Sequence, residues 1–175
     1  MSKSRSQLKL VEALGEHAIG REGRAAADDH GAVKLWLRLL SCSTQIEREI
    51  RSRLRKAFDT TLPRFDYLAQ LERHPDGLRM NAVSRYLMVT GGNVTGLTDQ
   101  LIAEGLVERT DDAQDRRASI IKLTPAGRRQ FLRMARAHEA WLVELFGGFD
   151  ADLREHLYES LGRLRVHLAA QGTHP

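Results

Sequence analysis

The stretch LRMNAVSRYLMVTGGNVTGLTDQLIAEGLVERTDDAQDRRASIIKL, residues 78–123, decides how this chain folds. Its apolar residues recur at helical intervals, pause at residues 90–92 and then resume, which predicts two short amphipathic helices joined by a tight turn. The two apolar stripes consist of Met80, Val83, Leu87, Val94, Leu97, Leu101 and Ile102. Gly105 ends the second helix, and two segments of strand composition follow it, at residues 106–109 and 118–123. This order of elements predicts a winged helix-turn-helix, a fold that inserts its second helix into the major groove of DNA.

The residues that open the second helix suit a close approach to DNA. Thr90 is the predicted N-cap, because its hydroxyl can accept a hydrogen bond from a free backbone N–H of the following turn. Gly91 and Gly92 leave the helix N-terminus without side-chain bulk, so its amides can come near a phosphate. The face opposite Val94 and Leu101 carries polar groups of the kind that reach phosphates or base edges. These are Asn93, Thr95 and Gln100.

The loop between the two strands, residues 110–117, is polar and ends in paired arginines. On charge alone a solvated turn is the more frequent explanation of such a loop. Its place behind a helix-turn-helix reverses that preference, because arginines at a hairpin tip can enter the narrow, negative minor groove. Arg116 and Arg117 are therefore predicted to contact DNA.

A longer run, residues 62–131, carries several motifs together: NVT at the opening of the second helix, then EGLVER, DDxxDRR and KLTPAGR. With these motifs the chain resembles the MarR family of bacterial winged-helix regulators. The resemblance implies a homodimer that binds a palindromic operator in double-stranded DNA, usually as a repressor. It also implies an aromatic or otherwise lipophilic effector that loosens the grip on DNA.

The chain departs from many MarR relatives at two positions of the second helix. Those relatives carry arginine where this chain has Gly96 and Gln100, and a glycine inside a helix costs about 1 kcal/mol relative to alanine. Base recognition is therefore expected to depend on Asn93, Thr95 and the wing, and the operator sequence cannot be inferred from relatives.

Length and composition limit the alternatives. A chain of 175 residues with 42% hydrophobic and 29% charged residues predicts a soluble protein of one domain, or of one domain with extensions. Its net charge of +4 permits binding to nucleic acid without requiring it. The single cysteine, Cys42, excludes an internal disulfide and fits a reducing compartment. No run of about 18 apolar residues and no signal-peptide pattern is present, so no membrane association and a cytoplasmic location are expected.

The predicted fold class is mainly α with a small β wing: a winged helix-turn-helix domain plus N- and C-terminal dimerisation helices. Residues 1–29 are expected to form a partly ordered arm, residues 62–124 the DNA-binding domain, and residues 30–61 and 125–172 the helical dimerisation region. The last helix carries a leucine stripe that has few partners inside so small a domain, so pairing with a second subunit is the simplest explanation. The stripe consists of Leu153, Leu157, Leu161, Leu164 and Leu168.

A long helix predicted over residues 31–56 has an apolar stripe that is expected to be mostly core, because every globular helix buries one face. The stripe consists of Trp36, Leu39, Leu40, Ser43, Ile46, Ile50 and Leu54. The family resemblance nevertheless implies an effector pocket beside this helix. Trp36 is the first candidate for it, since an indole combines a large apolar area with one N–H donor.

Two further helices supply candidates for the same pocket. Arg64 can pair with the carboxylate of an acidic aromatic ligand, and the rings of Phe65 and Tyr67 can stack on it, although helical arginines are more often only solvated. A helix capped by Thr124 and running to residue 146 is predicted to bury Phe131, Met134, His138, Trp141, Leu142 and Leu145. On this helix His138 and Trp141 are ligand candidates, although such a histidine is more often a packing residue.

Residues 37–63 resemble regulators of aromatic-acid degradation, so a small aromatic acid or its CoA thioester is the expected effector. A cluster of cations on the first long helix can meet CoA phosphates, but an ordinary solvated face is the more frequent explanation. The cluster consists of Arg48, Arg51, Arg53, Arg55 and Lys56.

Catalysis and cofactor binding have little support in the sequence. The histidines show no zinc-ligand spacing, no nucleophile motif frames a serine, and no glycine-rich loop has phosphate-binding spacing, so no catalytic residue, metal or cofactor is predicted. Redox sensing by Cys42 is not expected, because Arg38 is the only cation near it in sequence. The alternative function is a small-molecule-binding or protein-interaction module that keeps the winged-helix scaffold without touching DNA.

Overall fold

The structure, a computed structural model, describes residues 9, 12–14, 31–87, 91–111 and 119–171. Most of the predicted N-terminal arm therefore lies outside the described residues. From residue 31 onward the elements are α1 (Gly31–Phe58), α2 (Leu62–Glu72), β1 (Leu78–Arg79), α3 (Met80–Leu87), α4 (Gly91–Ala103), β2 (Val107–Asp111), β3 (Ser119–Leu123), α5 (Pro125–Phe146) and α6 (Ala151–Gln171). The predicted class, mainly α with a small β wing, is confirmed.

The sheet is antiparallel with the strand order β1-β3-β2. Strands β2 and β3 pair from Val107 opposite Leu123 to Asp111 opposite Ser119, which is the predicted hairpin. Strand β1 pairs with the other edge of β3 and was not predicted, because two residues are too few to show the alternation of a strand. A methyl group at Gly77 would lie 2.4 Å from the side chain of Ile120, and φ there is +91°. Only glycine fits this turn into β1.

The first of two compact units comprises residues 1–136 and contains the winged helix-turn-helix. Helices α1 to α5 and all three strands contribute to its core. The largest fully buried side chains are Leu54, Tyr67, Leu68, Leu71, Val83, Val94, Thr98, Leu101, Val107, Ile121 and Met134. Burying one such leucine stabilises the fold by roughly 1.5–3 kcal/mol, so this shared core is what holds the short helices α3 and α4 in place.

The apolar stripe of helix α1 is buried in only one half of the helix. Ile50 and Leu54, in its C-terminal half, are buried as expected, but Trp36 in the N-terminal half is 60% exposed. The expectation that the whole stripe is core is therefore wrong for the N-terminal half of the helix in the single chain. Helical spacing identifies the apolar side of a helix but does not say what covers it.

Residues of the motif KLTPAGR connect the start of α5 with the end of α4 through hydrogen bonds. Thr124 is the predicted N-cap, and its hydroxyl accepts a hydrogen bond from Gly127 N at 3.0 Å while donating to Gly105 O at 2.7 Å. Gly105 has φ +69° and ends α4 as predicted, with the amide of Leu106 bonded to Leu101 O at 3.0 Å. A methyl group at Gly127 would lie 1.9 Å from Leu106 O, so glycine permits this contact.

The second unit comprises residues 137–175 and contains the end of α5 and all of α6. The side chain of Asp150 caps α6 by accepting from Leu153 N at 3.0 Å. None of the residues of α6 is buried in the single chain. Leu145, predicted on the buried side of α5, is exposed instead. Among the described residues no helix is long and apolar enough to cross a membrane.

Candidate nucleic-acid interface

Helix α4, the predicted recognition helix, has one buried and one exposed face. Val94, Thr98 and Leu101 are buried, at positions separated by four and three residues. The opposite side is exposed and carries Thr95, Gly96, Asp99 and Gln100. Thr95 and Gln100 are therefore exposed on the side predicted for them, and their contact with DNA stays a prediction.

A buried hydroxyl pair holds the inner face of α4. Tyr67 of α2 is fully buried, and its hydroxyl lies 2.6 Å from the hydroxyl of Thr98. Thr98 in turn donates to Val94 O, one turn earlier in α4, at 2.7 Å. Burial raises the pKa of the Tyr67 phenol above its ordinary value of 10.0, and the hydrogen bond with Thr98 opposes this rise only in part. The phenol is therefore neutral at physiological pH and available as a hydrogen-bond donor.

Two ion pairs involve the end and the exposed face of α4. Arg64 of α2 pairs with Glu104, directly after the helix. Arg109 of β2 pairs with Asp99 on the exposed face, with 3.1 Å between Nη2 and Oδ1. Pairs as exposed as the second contribute little to stability. The pair of Arg109 with Asp99 matters more for the charge of the exposed face than for stability. The Asp99 carboxylate would repel a phosphate backbone, and the Arg109 guanidinium neutralises that carboxylate.

The other residues predicted to bind DNA lie at the edge of what the structure describes. Helix α4 begins at Gly91, so Gly91, Gly92 and Asn93 form its first turn, as the sequence predicts. Thr90, Arg116 and Arg117 lie outside the described residues. The roles of all these residues in DNA binding stay predictions.

The three ligand candidates on α2 each contact another part of the first unit. Arg64 pairs with Glu104, and the ring of Tyr67 lies in the core beneath α4. The Phe65 ring lies 5.5 Å from the Phe131 ring of α5. These contacts join α2 to α4 and α5, and the partners of Arg64 and Tyr67 were not predicted from the sequence. A ligand role for them stays a prediction.

The remaining ligand candidates lie on two other helices. The exposed indole of Trp36 is on α1, and half-buried His138 and Trp141 are on the part of α5 that belongs to the second unit. Whether the six candidates share one pocket stays a prediction. Cys42 is an exposed free thiol.

The cation cluster on α1 is partly neutralised by its own helix. Arg51 pairs with Glu47 and Arg53 with Glu49, each one turn apart and at 2.6 Å. Such pairs are ordinary features of a solvated helix. They favour the solvated-face explanation of this cluster over a CoA phosphate site. In the described part of the chain no three metal-ligating side chains come together.

The polar contacts of α4 were not predicted from the sequence. Thr98 did carry a signal, because it is a polar residue in the apolar stripe between Val94 and Leu101, and a buried hydroxyl needs a partner. No local pattern identifies that partner as Tyr67, 31 residues earlier. The pairing of Asp99 with Arg109 likewise depends on how a strand passes a helix.

Comparison with known proteins agrees with this fold. A model of the MarR family matches residues 58–118. The crystal structure of a MarR family transcriptional regulator from Silicibacter pomeroyi superimposes with a TM-score of 0.67, is 31% identical, and covers 84% of this chain and 99% of that one.

Two relatives are similar in sequence. The HTH-type transcriptional regulator PrsX of Escherichia coli is 37% identical over 92 residues, which are 52% of this chain and 55% of PrsX, so the match spans about half of that relative. The transcriptional activatory protein BadR of Rhodopseudomonas palustris is 27% identical over 139 residues, 78% of this chain and 79% of BadR. These names describe regulators of transcription, in agreement with the expectation that the chain is not an enzyme. The chain belongs to the MarR family of transcriptional regulators.

Proposed function

We propose that this protein is a sequence-specific DNA-binding transcriptional regulator that reads duplex DNA with the exposed face of α4. The observation that carries the proposal is the division of that helix into two faces. Val94, Thr98 and Leu101 fix one face in the core, and Thr95 and Gln100 are exposed on the other. Polar side chains on a helix fixed in this way suit contacts with base edges in the major groove.

The regulator acts as a homodimer on a palindromic operator. The exposed leucines of α6 support this part of the proposal, because an apolar face of this kind is stable in water when a second copy covers it. A two-fold axis sets the two α4 helices roughly 34 Å apart, which is one turn of DNA. Arg116 and Arg117 of each wing then reach the flanking minor grooves.

A small aromatic acid, or its CoA thioester, releases the protein from DNA, and the protein acts as a repressor. Support comes from the resemblance of residues 37–63 to regulators of aromatic-acid degradation and from the exposure of the Trp36 indole. Arg64, Phe65, Tyr67, His138 and Trp141 are the further candidates for the pocket. The relative BadR is named an activatory protein, so a transcription assay on the operator is needed to give the sign of regulation.

The test of DNA binding is selection of duplexes from a randomised library by the full-length protein. The proposal predicts enrichment of one inverted repeat, which then forms a discrete gel-shift complex that resists a shuffled competitor. Failure to enrich any sequence would support the alternative of a winged-helix module that does not bind DNA.

The test of regulation is calorimetry of the protein with hydroxycinnamates, benzoates and their CoA thioesters. An effector must bind the free protein more tightly than the protein on its operator, because a ligand with equal affinity for both states shifts nothing. We therefore expect one of these compounds to dissociate the complex with the selected duplex. If none does so, the effector proposal fails and the DNA-binding proposal remains.

A further inference from the structure

The contact between α2 and α4 contains a polar pair inside an apolar core. Tyr67 and Thr98 are both fully buried, and their hydroxyl oxygens lie 2.6 Å apart. Leu68 of α2 and Val94 and Leu101 of α4 are buried in the same core. A hydrogen bond contributes only modestly to stability when an apolar pair could fill the same space. A buried pair at this point therefore suggests a role besides stability.

The direction of each hydrogen bond follows from counting protons. The Thr98 hydroxyl has a single proton, and Val94 O at 2.7 Å is a nearer and stronger acceptor than Met80 Sδ at 3.5 Å. Because Thr98 uses its proton within α4, the Tyr67 phenol donates to Thr98 Oγ1. The chain of donors therefore runs from α2 through Thr98 to the backbone of α4.

This chain restricts how α4 can rotate about its own axis. Apolar contacts are non-directional and tolerate a small rotation, whereas a hydrogen bond weakens steeply when its length or angle departs from the optimum. A side chain lies about 5–6 Å from the helix axis, so a rotation of about 10° moves it by about 1 Å. That displacement changes the length or the angle of the bond between Tyr67 and Thr98 and so weakens it. It also misplaces Thr95 and Gln100 relative to a base edge.

A second contact of α2 lies on the same side of that helix. Arg64 precedes Tyr67 by three residues, so both project from one face of α2, and Arg64 pairs with Glu104 at the end of α4. Helix α2 thus holds α4 at its middle and at its end.

We propose that Tyr67 and Thr98 are positioning residues: their hydrogen bond fixes the rotation of α4 and thereby the sequence specificity of DNA binding. This inference rests on the proposed function. It assigns specificity to two residues that do not touch DNA.

Two variants distinguish an effect on the position of α4 from an effect on stability. One removes the hydrogen bond and keeps stability, and the other keeps the hydrogen bond and lowers stability. The double variant Y67F/T98V replaces both partners by apolar groups of similar shape, which leaves no unpaired buried hydroxyl, so its urea midpoint stays near that of the wild type. The conservative variant T98S keeps the hydroxyl but loses a methyl group, so its midpoint falls. The variant T60V is the matched control, because Thr60 is a buried threonine outside α4.

The readout is the ratio of the affinities for the selected duplex and for a shuffled duplex, at several salt concentrations. We expect Y67F/T98V to lower this ratio about three- to tenfold, the equivalent of one hydrogen bond, with an unchanged salt slope because no phosphate contact is lost. We expect T98S and T60V to keep the wild-type ratio.

A wild-type ratio in Y67F/T98V, or a ratio that follows the urea midpoint across all variants, would overturn the inference and leave the proposed function intact. A wild-type protein that enriches no duplex would overturn both.

Discussion

Helices α4 and α6 are both amphipathic, but a single chain buries the apolar face of α4 and not that of α6. Within the first unit α4 is held by buried apolar residues, by the bond between Tyr67 and Thr98, and by the ion pair between Arg64 and Glu104. In the second unit, no residue of α6 is buried. The contacts that orient α4 lie within one chain, whereas that chain buries none of the leucines of the α6 stripe. One chain therefore fixes the orientation of α4, the helix proposed to read DNA, whereas the proposed dimer surface on α6 needs a second copy to cover it.

The largest effect on DNA affinity is expected from a charge placed on the leucine stripe of α6. The variant L157D puts a charge on the leucine stripe and should convert the dimer to a monomer, as light scattering after gel filtration would show. A monomer loses the linkage of two half-sites, so affinity for the palindrome should fall by about 100-fold or more. The matched control is V166D, because Val166 lies on the opposite side of α6 and is 72% exposed, against 46% for Leu157. A dimeric L157D would contradict the proposed dimer surface.

The next largest effect concerns the wing. The variant R116A/R117A should weaken DNA binding at least tenfold and make its salt dependence less steep, because each lost phosphate contact releases about one counterion fewer. Anisotropy titrations at several salt concentrations give both quantities. Unaltered affinity and slope would show that the wing does not contact DNA.

A smaller effect is expected at the exposed ion pair. The variant R109A leaves the Asp99 carboxylate uncompensated on the face proposed to meet DNA, so affinity should fall severalfold while the urea midpoint barely changes. Neutralising both partners in D99N/R109A should recover part of the loss. If R109A lowers stability and affinity in parallel, the pair is structural and the electrostatic explanation is wrong.

The smallest effect is expected on stability, from a substitution on the exposed face of α4. A methyl group built on Gly96 meets nothing within 4 Å, so G96A should stabilise the helix by up to about 1 kcal/mol. Urea unfolding measures this change directly. A destabilised G96A would mean that the exposed face of α4 is more crowded than the structure indicates.

The sequence predicted those parts of the molecule that depend on local patterns. The two faces of α4, its end at Gly105 and the Thr124 cap follow from spacing and residue type within a few positions. The sequence did not predict β1, which exists only because β3 lies beside it. It also missed the partners of Thr98 and Asp99, since those contacts depend on how distant segments pack.

The burial of Tyr67 against α4 could not be predicted from local sequence patterns. Its ring and hydroxyl suit an aromatic ligand, and nothing in its neighbourhood of the sequence indicates that it is fully buried against α4. The same limit applies to α1, where spacing marked one continuous stripe but burial is confined to the half that contains Ile50 and Leu54. Periodicity gives the face of a helix, and tertiary contacts decide its use.

Two matched double variants, compared on the selected duplex, show whether the exposed face of α4 reads DNA. T95A/Q100A removes polar groups from α4, and T44A/Q45A makes the same exchanges at exposed positions of α1. We expect T95A/Q100A to lower the ratio of selected-duplex to shuffled-duplex affinity by about tenfold or more and T44A/Q45A to leave it unchanged. Equal ratios for both variants and the wild type would contradict the claim.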